Sequence, residues 1–290
     1  MKLINKDELL AILKGNRQSK LDFAIEIENT IGEVNCVFKL KYAFVPESIE
    51  NKDNKNSEFL SVFVDSFDFP GETHISVNAV SDSFINECTD KIYQEIKNCG
   101  QQEVKLILHG DNRLKYLVKQ KYKDIKFPDF SDFEDNGAIN SFYFDSNKKS
   151  DIPDDFKIRM LDLYDEFFCS AFESDNEDDY LSAIFDYSIR NPKYDDCGII
   201  GCFGIGEELL GYLAYYGLDE TIRDISYIYI GEICRNSGHG KALLNFFRNK
   251  NIDEGKISYY SYPENEYSKK LAKSCSFLPC SYRYEYEVVN

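Results

Sequence analysis

Tryptophan is absent from the 290 residues, and methionine (two), histidine (three) and proline (seven) are scarce. With His74 and His109 in the first half and His239 in the second, Cys234 and Cys275 lack an identifiable histidine partner for nucleophilic chemistry. The nine cysteines are odd in number and scattered, without a Cys-x-x-Cys, which argues against a disulfide framework and fits a reducing cytoplasm. Cys197 with Cys202 and Cys275 with Cys280 repeat one spacing. Free cysteines are commonly buried as small apolar side chains, so no metal site is expected. Nothing approaches the roughly 18 apolar residues of a membrane span, and the opening "MKLINKDELLAILKG" carries charges where a secretory signal is apolar. Positive charge is short as well: 34 basic residues face 51 acidic ones, for a net charge of -17. That balance argues against nucleic acid and anionic membrane as partners. It favours cationic partners, amines among them.

What is present is a chain long enough for two domains. Residues 3–45 alternate a short helical pattern with strand-like runs, "FAIEIEN" and "EVNCVFKLKYAFV", and 46–58 are a polar loop. "FLSVFVDSF" and "HISVNAV" read as strands, and the next segment sets Phe84, Ile85, Cys88, Ile92 and Ile96 on one helical face. "EVKLILH" and "NRLKYLVKQKY" repeat the strand and helix, and 127–137 form the linker candidate, which places an N-terminal α/β domain at 1–136 and a second domain at 137–290. In the second half, helical patterns are expected over 154–171 and 178–190. A hairpin follows around Gly206-Glu207, then the strand "ISYIYIGEI". Strict alternation puts Ile225, Tyr227 and Tyr229 on one face of that strand and Ile228 and Ile230 on the other.

The segment "GEICRNSGHGKALLNFF", residues 231–247, ends that strand and opens a helix, with Gly238 and Gly240 at the join. The first turn of a helix presents unpaired N-H groups and a partial positive charge. Glycines there let an anion approach the backbone, so the join reads as a pyrophosphate cradle. A Walker A loop needs glycine at 235 and a hydroxyl at 242, where Arg235 and Ala242 stand. A dinucleotide fingerprint needs a small residue at 243, where Leu243 stands.

Arg235-x-x-Gly238-x-Gly240 after a central strand resembles the GNAT superfamily of acetyl-CoA-dependent N-acetyltransferases. The resemblance extends over about 137–290: two helices, a hairpin, the central strand, the loop and its helix, then a closing strand, helix and strand. In the closing segment Asn265 and Ser268 match an Asn-x-x-Ser/Ala pattern, and Ser276-Phe277 stand where Gly-Phe is usual. It implies an α/β fold with a mixed central sheet flanked by helices, and acetyl transfer from acetyl-CoA to a primary amine: a polyamine, an aminoglycoside or a peptide amine. Glu232, Ile233 and Cys234 would then face pantetheine, with Glu232 as the base. Arg235 stands at the first motif position, while Ser237, Gly238, His239, Gly240 and Lys241 would surround the phosphates, and Asn265 would contact the cofactor. The tyrosine that many relatives use as acid is replaced by Ala272, with Tyr260, Tyr262 or Tyr267 as candidates to stand in for it. A non-catalytic acyl-CoA-binding or regulatory protein is the alternative. The first half reads as a degenerate second copy or as an unrelated α/β domain. "SVNAVSDSFINE", which stands in place of the cradle, has neither arginine nor glycine, so a copy would wall the substrate cleft or form a homodimer surface.

Overall fold

The computed structural model describes residues 1–15, 17–31, 38–47, 58–65, 72–99, 104–110, 113–123, 141–161, 196–261, 266–280 and 284–288. The chain forms two compact units, Met1–Ile139 together with Ser281–Asn290, and Asn140–Cys280.

The first unit carries β1 (Lys2–Ile4), α1 (Lys6–Leu13), α2 (Arg17–Asp22), α3 (Ala24–Ile31), β2 (Phe38–Val45), β3 (Phe59–Asp65), β4 (Thr73–Ala79), α4 (Asp82–Asn98), β5 (Val104–Gly110) and α5 (Arg113–Lys121). Its sheet runs β1-β2-β3-β4-β5-β13, the last being Tyr284–Val288 from the far end of the chain. Neighbours are antiparallel except β4 and β5, which are parallel. Two apolar layers sandwich the sheet. Leu60 and Val62 of β3 pack with Phe84, Ile85, Cys88, Ile92 and Ile96 of α4, the helical face expected from spacing. Phe59 and Phe63 turn the other way, onto Leu9, Leu13, Phe23 and Ile27.

"FAIEIEN" is a correction. Its alternation suggested a strand, yet most of it lies in α3, whose buried positions Ala24, Glu26, Ile27 and Thr30, with Phe23 before them, follow helical spacing. The strand expected to close the second domain is a second correction, since β13 pairs antiparallel with β5, from Tyr284 opposite Leu108 to Val288 opposite Val104.

The second unit contains β6 (Phe142–Phe144), β7 (Lys157–Leu161), β8 (Cys197–Phe203), β9 (Leu209–Asp219), β10 (Ile222–Ile230), a 3-10 turn (Glu232–Cys234), α6 (His239–Asp253), β11 (Ile257–Tyr260), α7 (Glu266–Ser274) and β12 (Leu278–Pro279). Its order is β12-β6-β11-β10-β9-β8-β7, and β10 with β11 is its parallel pair. The helix expected over 154–171 is corrected at its start. Lys157–Leu161 is a strand paired with β8, and Phe156, Ile158 and Met160 turn to one core with a period of two. The remainder of that segment, the helix expected at 178–190 and the linker at 127–137 lie outside the described residues. The hairpin around Gly206-Glu207 joins β8 and β9 as read, with Glu207 at φ 65.

Leu243, Leu244 and Phe247 of α6 are fully buried against Ile200, Cys202, Leu213, Tyr215 and Ile225. At the paired end of β10 and β11, Arg223 is buried and held by Asp196, Glu254 (2.5 Å) and Asn251 (3.0 Å). Lys256 also reaches Asp196. A buried guanidinium needs such partners, and these lock the register in which the two strands begin.

Candidate acyl-CoA site

β10 is a bulged strand. Ile225 lies opposite Tyr215 and Tyr227 opposite Ala214, so Ser226 is the extra residue. One inserted residue reverses the alternation. Ile225, Ile228 and Ile230 therefore share the face packed toward α6, while Tyr227 and Tyr229 face Tyr212 on the other side. This corrects the strict alternation of the sequence reading, which placed Ile225 with the two tyrosines.

β10 also loses a neighbour. It stays with β9 through Ile230 opposite Gly211, but its pairing with β11 covers only Ile222–Asp224 against Ile257–Tyr259. Among the described residues, the stretch 225–230 has no strand partner on the β11 side. A gap between two strands of a sheet presents main-chain donors and acceptors to whatever enters it.

The strand ends at Gly231 and the 3-10 turn Glu232–Cys234. Gly238 then caps α6 in the left-handed conformation, φ 94, which favours glycine. No side chain caps the helix. Its first N-H groups, at 238–241, thus remain for an anion. A Cβ at Gly238 would lie 3.2 Å from the Phe156 ring, and one at Gly240 would lie 3.3 Å from Leu271 Cδ2. Gly238 is required by the turn and Gly240 by the close approach of α7.

The other candidates fall into distinct roles. Ser237 Oγ bonds to the Cys234 carbonyl, and it lies 2.6 Å from His239 Nδ1, whose ring meets Phe156 edge-on. Those contacts fix the loop around the helix start. Arg235 bends back, its Nε donating to the Ile230 carbonyl at 3.3 Å and its guanidinium lying 3.6 Å from Glu232. Glu232 is 83% exposed. Ile233 is 93% exposed at the same turn, where it could meet the apolar part of a ligand. Cys234 is buried, and burial also pushes the Cys275 thiol up, so Cys275 is unsuited to nucleophilic chemistry. Ser268 sits half-buried on α7, whereas Asn265 and Tyr262 lie outside the described residues. Ala272 is fully buried, Tyr260 is in the core and Tyr267 is exposed. Ser276, at the position where glycine is usual, adopts φ 62 and ends α7, with Phe277 N-H bonded to the Ala272 carbonyl and Ser276 N-H to the Lys273 carbonyl. Tyr227 and Tyr229, read from sequence only as strand faces, stand half-buried on the open stretch of β10. The signal that would have identified them is the bulge, which sequence alone does not announce.

An uncapped helix start, a glycine turn and a neighbouring strand gap suit an elongated ligand that has a phosphate group and an amide-bearing arm. Residues 159–277 match the family model described as "Acetyltransferase (GNAT) family". No curated protein matches the chain by sequence. Among solved structures, the chain is similar to a tandem GNAT protein from the clavulanic acid biosynthesis pathway, with 10% identity, coverage of 99% of this chain and 97% of that one, and a TM-score of 0.53. It is also similar to a GCN5-related glucosamine N-acetyltransferase region of a fungal multi-domain GH3 beta-N-acetylglucosaminidase, with 12% identity, coverage of 99% of this chain and 37% of that one, and a TM-score of 0.54. The expected fold class holds, and the likeness extends through the first half. Residues 159–277 thus match the GNAT acetyltransferase family, within a chain whose fold is shared along its length with a tandem GNAT protein.

Proposed function

We propose that the second unit transfers an acetyl group from acetyl-CoA to a primary amine. The observation that carries this reading is the meeting, at the end of β10, of the uncapped start of α6 with the stretch 225–230 that β11 leaves unpaired. Acetyl-CoA, when bound, supplies an activated thioester. The N-H groups at 238–241 would hold its pyrophosphate, with Ser237 and His239 keeping the loop in shape. The open edge of β10 would hold the pantetheine arm, and Ile233 would cover it.

The amine must lose a proton and the departing thiolate must gain one. Glu232, solvated and beside Arg235, would take the proton through water. The phenols of Tyr227 and Tyr229 lie on the open part of the strand and would supply the acid that Ala272 cannot. The net charge of -17 favours a cationic amine as acceptor.

Calorimetric titration with acetyl-CoA tests the site. A one-to-one saturable isotherm is expected, with thermal stabilisation of roughly 2.7 kcal/mol at about 100 times the dissociation constant. No binding at millimolar cofactor would refute it. A second reading, a non-catalytic acyl-CoA binder, is favoured by the buried Ala272 at the usual acid position. Release of free thiol with a panel of amines separates the two.

A further inference from the structure

Asp224 is 1% exposed, and it is the last residue of β10 in register with β11. A carboxylate in that position must be matched by donors. The Ser261 N-H donates to Oδ1 at 2.9 Å, the Ser261 hydroxyl donates to Oδ2, and the Tyr216 hydroxyl reaches Oδ2 at 3.4 Å. Ser261 directly follows β11. In a continuing parallel ladder its N-H would go to a main-chain carbonyl of β10. Here it goes to the Asp224 carboxylate, which takes the bond at the point where the strands part. The bulge at Ser226 follows two residues later, and a bulged strand bends.

We propose that Asp224 is a positioning residue that sets the opening between β10 and β11, and with it the affinity for the pantetheine arm. The inference rests on the acyl-CoA reading above. Asp224 acts through Ser261, at the exit of β11. It holds the exit of β11 at one separation, so the edge of β10 is presented in a fixed shape, and a gap already formed costs the ligand less to enter. Two arms converge on one residue, Ser261, which makes the clasp bidentate and directional.

The test compares two ligands on the whole chain by calorimetry: acetyl-CoA, and 3′-phosphoadenosine 5′-diphosphate, which carries the pyrophosphate without the arm. Asp224→Ala is expected to weaken acetyl-CoA about 10-fold, the scale of one lost hydrogen-bonded contact, while the nucleotide stays within about two-fold of wild type. Asp224→Asn should restore acetyl-CoA to within about three-fold, because its oxygen still accepts the Ser261 N-H and the Ser261 hydroxyl can reverse to accept from the new amide. Ser261→Ala, which removes one arm, should show the same split at about three-fold and decides the matter if Asp224→Ala does not fold. Equal weakening of both ligands, or no change in either, would overturn the proposal. If wild type binds neither ligand, the acyl-CoA reading fails and this inference falls with it. If wild type binds the nucleotide alone, the cradle stands and the slot does not.

Discussion

At the join of β4 and α4 in the first unit, the Glu58 carboxylate accepts from the N-H of Val80 (2.6 Å), the N-H of Ser81 (2.5 Å) and the Ser81 hydroxyl (2.8 Å). Ser81 in turn caps α4 by accepting from Phe84 N-H. At the matching join of β10 and α6 in the second unit, no side chain caps the helix. The neighbouring ladders differ in the same sense. β4 and β5 stay in register from Thr73 opposite Val104 to Ala79 opposite Gly110, whereas β10 and β11 part after Asp224. Both units therefore follow one strand plan, a meander leading into a parallel pair joined by a helix. In the first, Glu58 and Ser81 bond to N-H groups at the helix start and the two strands stay paired. In the second, no side chain caps the helix and β10 runs on past its pairing with β11. The two units thus differ by a few local choices at one join, with the strand plan unchanged.

The largest effect is expected from removing residues 281–290. The first unit then loses β13, and β5 becomes a bare edge. The loss is comparable to the whole stability of a small domain, about 5 kcal/mol. Hydrogen exchange should show fast exchange through β3, β4 and β5 with α6 still protected. Equal loss in both units would mean that they do not unfold separately.

The next effect belongs to the second unit alone. Burial opposes ionisation of Asp196, but hydrogen bonds from Arg223 and Lys256 outweigh it and hold the carboxyl below its ordinary range. A depressed folded value means that the contribution is fully present above the unfolded value of about 3.9 and is lost as pH falls through the folded one. In the first unit Asp90 is likewise lowered, by Lys121 and Tyr122, but its side chain is 60% exposed and contributes little. Acid melting should therefore weaken the second unit preferentially below about pH 4. Asp196→Asn should cost roughly 2 kcal/mol at neutral pH, less than a fully buried pair because the carboxylate is partly solvated, and should flatten that acid slope. An unchanged slope in calorimetric melts would remove Asp196 from the account.

Gly238→Asp places a carboxylate at the uncapped start of α6 and forces a side chain into a left-handed position against Phe156. Acetyl-CoA affinity should fall about 30-fold with the fold retained. Unchanged affinity would sink the cradle. The smallest effect sharpens the comparison from the other side. Glu58→Ala should lower the stability of the first unit by about 1 kcal/mol, as for a lost helix cap. The stoichiometry of acetyl-CoA should stay at one, because β4 and β5 remain joined. A second binding event in the titration would mean that Glu58 alone keeps the first unit closed.

Much of this was legible one element at a time. The buried face of α4, the hairpin around Gly206-Glu207 and the glycine join at 238–240 each come from residues close in sequence, where side-chain period and backbone freedom act directly. The failures share a cause. Residues 23–29 and 157–161 are short enough that a few apolar residues satisfy either period, and only the surface they meet decides between helix and strand. The bulge at Ser226 leaves no mark because any residue can be the extra one.

By itself, then, the sequence determined that there are two α/β halves and that the second carries a helix that starts on a glycine turn. A glycine that must adopt positive φ is a property of the residue, and so is the absence of a capping side chain. Tertiary structure alone decided where β13 pairs, that Glu58 reaches the start of α4, and that Asp224 meets Ser261 where β10 and β11 part. A strand ladder is made of main-chain groups that every residue carries, so its partner is chosen by what is left unpaired elsewhere in the fold. A carboxylate, likewise, becomes a cap or a wedge only when distant residues bring donors to it.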